Sequence, residues 1–139
     1  SAASDVYKRQ PFKTRASDTF IMAKELIVDL MRSPQRPSAI FASNDILGLA
    51  ALQMAQIEGL QVPRDLSVVG MDDLFSAESA SPALTSVSKH RFEVGAQAAR
   101  NLLKQINSEH SMENEPINEL VECTLVVRDS SGPIAEVDV

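Results

Sequence analysis

Two short apolar runs constrain this chain more than any other feature, because each closes on a pair of polar residues and each is followed by a helical stripe. Ser38–Ala42 (SAIFA) leads into Asn44-Asp45, and Leu66–Met71 (LSVVGM) leads into Asp72-Asp73. Short apolar runs bounded by turn residues predict buried strands. Around them, apolar residues recur at helical spacing. Phe20, Ala23, Ile27, Leu30 and Met31 come before the first run. Ile46, Leu47, Ala50, Met54 and Ile57 lie between the two, and Phe92, Gly95, Ala99, Leu102, Leu103 and Ile106 follow the second. Leu84–Val87 predicts a third, short strand and Leu120–Val127 a last one. The order is helix, strand, helix, strand, short strand, helix, strand. Alternation with short connections predicts α/β layers around a mostly parallel sheet.

Punctuation fits these elements. Ser17 and Asp18 are cap candidates for the first helix, which stops at Ser33-Pro34. Gly59 is placed to end the second helix in a left-handed turn, with Leu60 packing back and Pro63 blocking continuation. Residues 74–83 predict a loop or short helical turn ending at Pro82, and residues 107–118 a polar loop. Ser130–Val139 reads as a loosely tied tail. The opening string SAASDVYKRQ fits no apolar period and has no signal-peptide layout. It resembles a translated sequencing-adapter tail, the alternative being a genuine flexible arm. The expected organisation is therefore a non-native tail at 1–10, a domain fragment at 11–131 and a flexible tail at 132–139.

Charge and rare residues exclude whole classes of function. Thirteen Lys+Arg against nineteen Asp+Glu give −6, with one Tyr and no Trp, a poor composition for holding phosphate backbones. No apolar run approaches the ~18 residues of a membrane span. A lone cysteine, Cys123, excludes an intrachain disulfide and a Cys-based zinc site. It falls in a strand candidate and is expected as a small buried apolar residue. His90 and His110 are far apart, with no carboxylate spacing that suggests a metal. Lys89-His90-Arg91 reads as a solvated hinge. No Gly-rich phosphate loop and no GxSxG elbow appear, so no cofactor and no enzyme chemistry are expected.

In open α/β sheets, ligands bind beyond the carboxyl ends of the strands. If the two apolar runs are parallel neighbours, Asn44-Asp45 and Asp72-Asp73 open on one edge. Asn offers a donor and an acceptor, and carboxylates offer acceptors. That mixture suits a polyol or sugar. Each residue also has an ordinary structural use. Asn44 or Ser43 can cap the following helix, Asp45 can favour its dipole, and Asp72 and Asp73 can serve as turn residues.

Five segments in register resemble the LacI/GalR family of bacterial transcription regulators. Pro37–Leu52 (PSAIFASNDILGLAAL) is similar to the family's P-x-A-[IV]-F-x-x-N-D-x-x-A-x-G-A-L segment. Gly59–Asp73 (GLQVPRDLSVVGMDD) is similar to its G-x-x-V-P-x-D-[IVL]-S-V-[VI]-G-[FY]-D-[DN]. Pro82–Val87 (PALTSV), Gly95–Ala99 (GAQAA) and Leu125–Ser130 (LVVRDS) follow in order, so the resemblance spans roughly residues 37–131. Gly48 stands where Ala is common, Met71 where Phe or Tyr is common, and Ser17 where Gly is frequent.

The resemblance implies most of the C-terminal lobe of an effector-binding domain with the type I periplasmic-binding-protein-like fold. That is an α/β lobe with a mostly parallel sheet and helices on both faces. One further helix, about Phe92–Ile106, would belong to the N-terminal lobe, with the chain crossing near Val87–Arg91 and returning near 118–124. The resemblance further implies a cytoplasmic repressor that binds a small effector, forms a homodimer, and meets operator DNA through a headpiece outside this chain. Asn44 and Asp72 fall where the family commonly contacts its effector, and Phe12 where many members place an aromatic that stacks on the ligand. Leu47–Gln56 and Leu74–Ala80 fall in its dimer segments. A periplasmic sugar-binding protein of a transporter shares the fold and is the main alternative.

Overall fold

The computed structural model describes residues 16–107 and 118–133. Among the described residues, the elements follow the expected order: α1 (Ala16–Arg32), β1 (Ala39–Phe41), α2 (Asp45–Ile57), β2 (Ser67–Met71), α3 (Phe75–Glu78), β3 (Thr85–Ser88), α4 (Arg91–Asn107) and β4 (Thr124–Val126). The sheet runs β1-β2-β3-β4. β1 pairs parallel with β2 (Phe41 opposite Val69), and β2 parallel with β3 (Met71 opposite Val87). β4 returns antiparallel along β3, with Leu125 opposite Val87. Ser17 and Asp18, expected as caps, lie inside the first turn of α1.

The glycine stop after α2 closes as its sequence predicts. Gly59 has φ +74°, and its N–H donates to the Gln56 carbonyl at 3.2 Å. The Leu60 N–H donates to the Ala55 carbonyl at 2.8 Å, completing the reciprocal pair that satisfies the last turn. At the other end, Asn44 Oδ1 accepts the Leu47 N–H at 2.9 Å, so Asn44 is the N-cap.

Helix α2 lies against β1 and β2, and small residues allow the close approach. A β-carbon at Gly48 would stand 2.8 Å from a Leu84 methyl. The core consists of Met31, Ala51, Leu52, Met54, Ala55, Leu66, Val68, Ala77 and Leu84, with Ile27, Val28 and Ile40 packed on it. Most of the α2 stripe considered for dimerisation is thus spent inside the chain's own core. By register and alternation, the opposite sheet face carries Phe41, Val69, Met71, Val87 and Leu125. Phe41 and Leu125 are 62% and 57% exposed there.

Two further expectations are corrected. The closing segment is not loose where it begins. Ser130 is buried between β2 and β3, below the point where they pair. Its carbonyl accepts the Val68 N–H at 2.7 Å, and its own N–H donates to the Ala83 carbonyl at 3.0 Å. Its Oγ donates to the Val68 carbonyl at 2.6 Å and accepts the Thr85 N–H at 2.8 Å. Ser67 Oγ reaches the Gly132 carbonyl at 3.2 Å. One side chain and its own peptide groups therefore replace the strand pairing missing at that level. Cys123, expected to be buried, is exposed, because the last strand begins only at Thr124 and residues 118–123 pair with no strand.

Helix α4 stands apart. None of its residues is buried, and Phe92 is 88% exposed. Beside it, Asn101 Nδ2 and then Gln97 Nε2 donate to Glu119, holding that carboxyl below its ordinary range.

Candidate functional site

Because β1 and β2 are parallel neighbours, their carboxyl ends meet on one edge, as the polar pairs require. The pairs then divide. In each, the second residue is bound to the fold: Asp45 is fully buried, and Asp73, as exposed as Asp72 at 25%, is tied to Arg128.

Asn44 is half-buried. Its carbonyl oxygen is engaged as the helix cap, and its amide nitrogen makes no bond to a described residue. Capping and ligand contact are therefore compatible in this side chain. Asp45 is fully buried. Its Oδ1 accepts from Ser86 Oγ at 2.5 Å and its Oδ2 from the Leu74 N–H at 2.7 Å. The first-turn position at the α2 N-terminus also favours a negative charge.

Asp72 and Asp73 both have left-handed backbones, with φ +112° and +53°. That region is uncommon for a residue with a β-carbon. The Asp72 carboxylate remains partly exposed and lies 2.7 Å from Lys89 Nζ. Asp73 turns toward the closing segment, where Arg128 Nη2 donates to its Oδ1 at 2.7 Å.

The stretch Lys89-His90-Arg91, expected as a solvated hinge, is partly engaged. Lys89 holds Asp72, and His90 Nε2 meets Thr124 Oγ1 at 2.8 Å. The second contact ties the outgoing chain to the returning one. Asp72 and Asp73, with Ser88, His90, Arg91, Phe92 and Glu93, line a shallow cavity of about 300 Å³ beside this crossing. Lys89, Ser86 and Arg128 were not among the candidate residues. Arg128 and Ser86 sit inside recognisable segments, but nothing in a linear string says that they converge on this turn. Phe12 and His110 lie outside the described residues.

The arrangement offers carboxylate acceptors at Asp72, ammonium donors at Lys89 and an amide donor at Asn44. Such a set matches hydroxyl groups, each of which donates and accepts. Among the described residues no three His, Cys, Asp or Glu side chains gather as a metal site. No described helix is long and apolar enough to cross a membrane.

Comparison with known proteins gives a consistent result. A profile of the periplasmic binding protein-like domain family matches residues 3–131. The HTH-type transcriptional repressor CytR of Escherichia coli K12 is 33% identical over 117 residues, covering 84% of this chain and 33% of that protein. The HTH-type transcriptional regulator CelR of Thermobifida fusca is 38% identical over 113 residues, covering 81% of this chain and 32% of that one. This chain thus spans about a third of the length of the curated relatives it matches. Among solved structures, a LacI family transcriptional regulator from Bifidobacterium animalis subsp. lactis superposes with a TM-score of 0.75 at 32% identity, covering 84% of this chain and 41% of that one. A CelR–cellobiose complex superposes with a TM-score of 0.71 at 35% identity, covering 81% of this chain and 33% of that one.

Proposed function

This chain belongs to the LacI/GalR family, as part of its periplasmic-binding-protein-like effector domain, and we propose from that premise that it senses a small polyhydroxylated ligand for a cytoplasmic transcriptional repressor. The observation that carries the ligand reading is the shared edge. Asn44 and Asp72 close two adjacent parallel strands and keep polar atoms available there. Asn44 and Asp72 contact the effector, and Phe12 stacks on it. A CelR–cellobiose complex among the structural neighbours supports a saccharide as the ligand class.

Binding of the ligand between two lobes favours one arrangement of the crossing segments near Lys89–Arg91 and Thr124. In a homodimer that choice sets the spacing of two DNA-binding headpieces. Ligand and operator are then coupled reciprocally through one two-state element. Lys89 and the His90–Thr124 contact lie where such a change would pass. Phe75, 82% exposed on α3, is the apolar residue the 74–80 segment offers to a second subunit.

Isothermal titration of the full-length protein with cellobiose and D-ribose tests this reading. Asp72→Asn and Asn44→Ala are each expected to weaken binding at least tenfold. A hydrogen bond to a charged group is worth about 1.5–3 kcal/mol. Wild-type affinity in both variants would refute the site, and a protein indifferent to both sugars would refute the ligand class.

A further inference from the structure

We propose that Asp45 and Arg128 are positioning residues for Asp72, which brace the Asp72-Asp73 turn in its left-handed form and so fix where the Asp72 carboxylate stands. Two consecutive non-glycine residues with positive φ persist only where their surroundings over-determine them, and such backbones gather at functional sites. Every backbone donor in this turn is held. The Asp72 N–H donates to the Val87 carbonyl at 2.9 Å, and the Asp73 N–H to Ser86 Oγ at 3.1 Å. The next N–H, that of Leu74, goes to Asp45 Oδ2 at 2.7 Å.

Asp45 therefore acts twice. It takes the Leu74 N–H directly, and it takes the hydroxyl hydrogen of Ser86, which leaves the Ser86 oxygen free to accept from Asp73. A bare glycine makes room for it, since a β-carbon at Gly70 would collide with Asp45 Oδ1. Arg128 supplies the other side. Its Nη1 donates to the Leu84 carbonyl at 2.9 Å and its Nη2 to Asp73 Oδ1 at 2.7 Å. A planar fork reaches both acceptors at once from one rigid group. The Asp72 side chain takes no part in the brace and faces Lys89. The backbone is fixed from beneath while the carboxylate is presented at the edge.

That Asp72 meets the effector rests on the function proposed above. That Asp45 and Arg128 hold its backbone does not depend on any ligand. Two measurements on the full-length protein separate these. Crystal structures of wild type and Arg128→Met read φ at Asp72 and Asp73 directly. The expected result is loss of the left-handed pair in Arg128→Met and its retention in Arg128→Lys, with Asp45→Asn as a second probe from the other side. A left-handed turn persisting in both Arg128→Met and Asp45→Asn would overturn the brace.

Titration with cellobiose and D-ribose then forms a double-mutant cycle. Arg128→Met is expected to weaken binding at least tenfold in the wild-type background and less than twofold once Asp72→Ala is present. Equal losses in both backgrounds would mean that Arg128 acts on the fold at large and not through Asp72, and would overturn the positioning role. A wild-type protein that binds neither sugar would overturn the purpose of the brace together with the ligand reading, whatever the turn's conformation.

Discussion

The body of this chain and its helix α4 obey opposite rules. In the body, α2 and the three parallel strands bury Leu66, Val68 and Leu84 completely, and polar groups that go inside find partners. In α4, equally apolar residues such as Leu103 and Ile106 remain mostly exposed. Both segments are amphipathic helical sequence. The difference is that α2 has a sheet beneath it, whereas among the described residues the apolar flank of α4 meets the short stretch 119–122. An apolar stripe therefore reports that a helix is built for a partner, not that the partner belongs to the same stretch of chain.

Substitutions of one kind in the two regions test this contrast most strongly. Leu66→Ala should cost about 2–5 kcal/mol in urea unfolding, the usual range for a buried leucine. Leu103→Ala in the same chain should change stability by less than about 0.5 kcal/mol. Equal costs would break the comparison. Ser130→Ala probes the body alone. It strands the Thr85 N–H and the Val68 carbonyl, and at least about 2 kcal/mol should be lost, because each abandoned buried group costs about 1–3 kcal/mol. Leu102→Gln with Leu103→Gln probes α4 alone. The unfolding midpoint should barely move, but sedimentation velocity should show less self-association than the parent chain, whose exposed stripe promotes it. A parent chain that sediments as a monodisperse monomer would contradict this.

The smallest effect concerns acid. Arg32 bonds Glu58 through Nε and Nη2 at 2.8 and 2.7 Å, joining α1 to the end of α2. The hydrogen bond from Arg32 holds the Glu58 carboxyl below its ordinary 4.5. A depressed carboxylate contributes stability above its unfolded value and loses it as pH falls through the folded one. The Glu58→Gln variant should therefore match wild type in acid, below both values, and differ slightly at neutral pH. Arg32 is 67% exposed to solvent, so the difference is small and salt-sensitive.

Much of the fold is legible in the residues themselves. Helical stripes broken by Ser33-Pro34 and Gly59 delimit α1 and α2, and the β-rich runs mark β1 and β2 to within a residue or two. The shared edge is legible too, since parallel order follows from alternation. The division of labour inside each polar pair is not. It depends on a left-handed turn formed by two aspartates, where composition would lead one to expect glycine. It also depends on Arg128, which lies 55 positions from its partner Asp73. Cys123 went astray for a related reason. The apolar run from Leu120 looks like strand, but pairing to β3 begins only at Thr124.

The placement of Ser130 has a consequence for how the protein is made. It bonds Thr85 and Val68 across separations of 45 and 62 residues. A ribosome working from the N-terminus releases β1, β2 and β3 while the residue that joins the lower ends of β2 and β3 has yet to be translated. Until residues 128–132 emerge, the sheet of the nascent body lacks that closure. Contacts this distant in sequence also slow folding, because loop closure must precede their reward. A chain cut just before Arg128 would therefore have an open sheet, the kind of species that quality control removes and that otherwise aggregates.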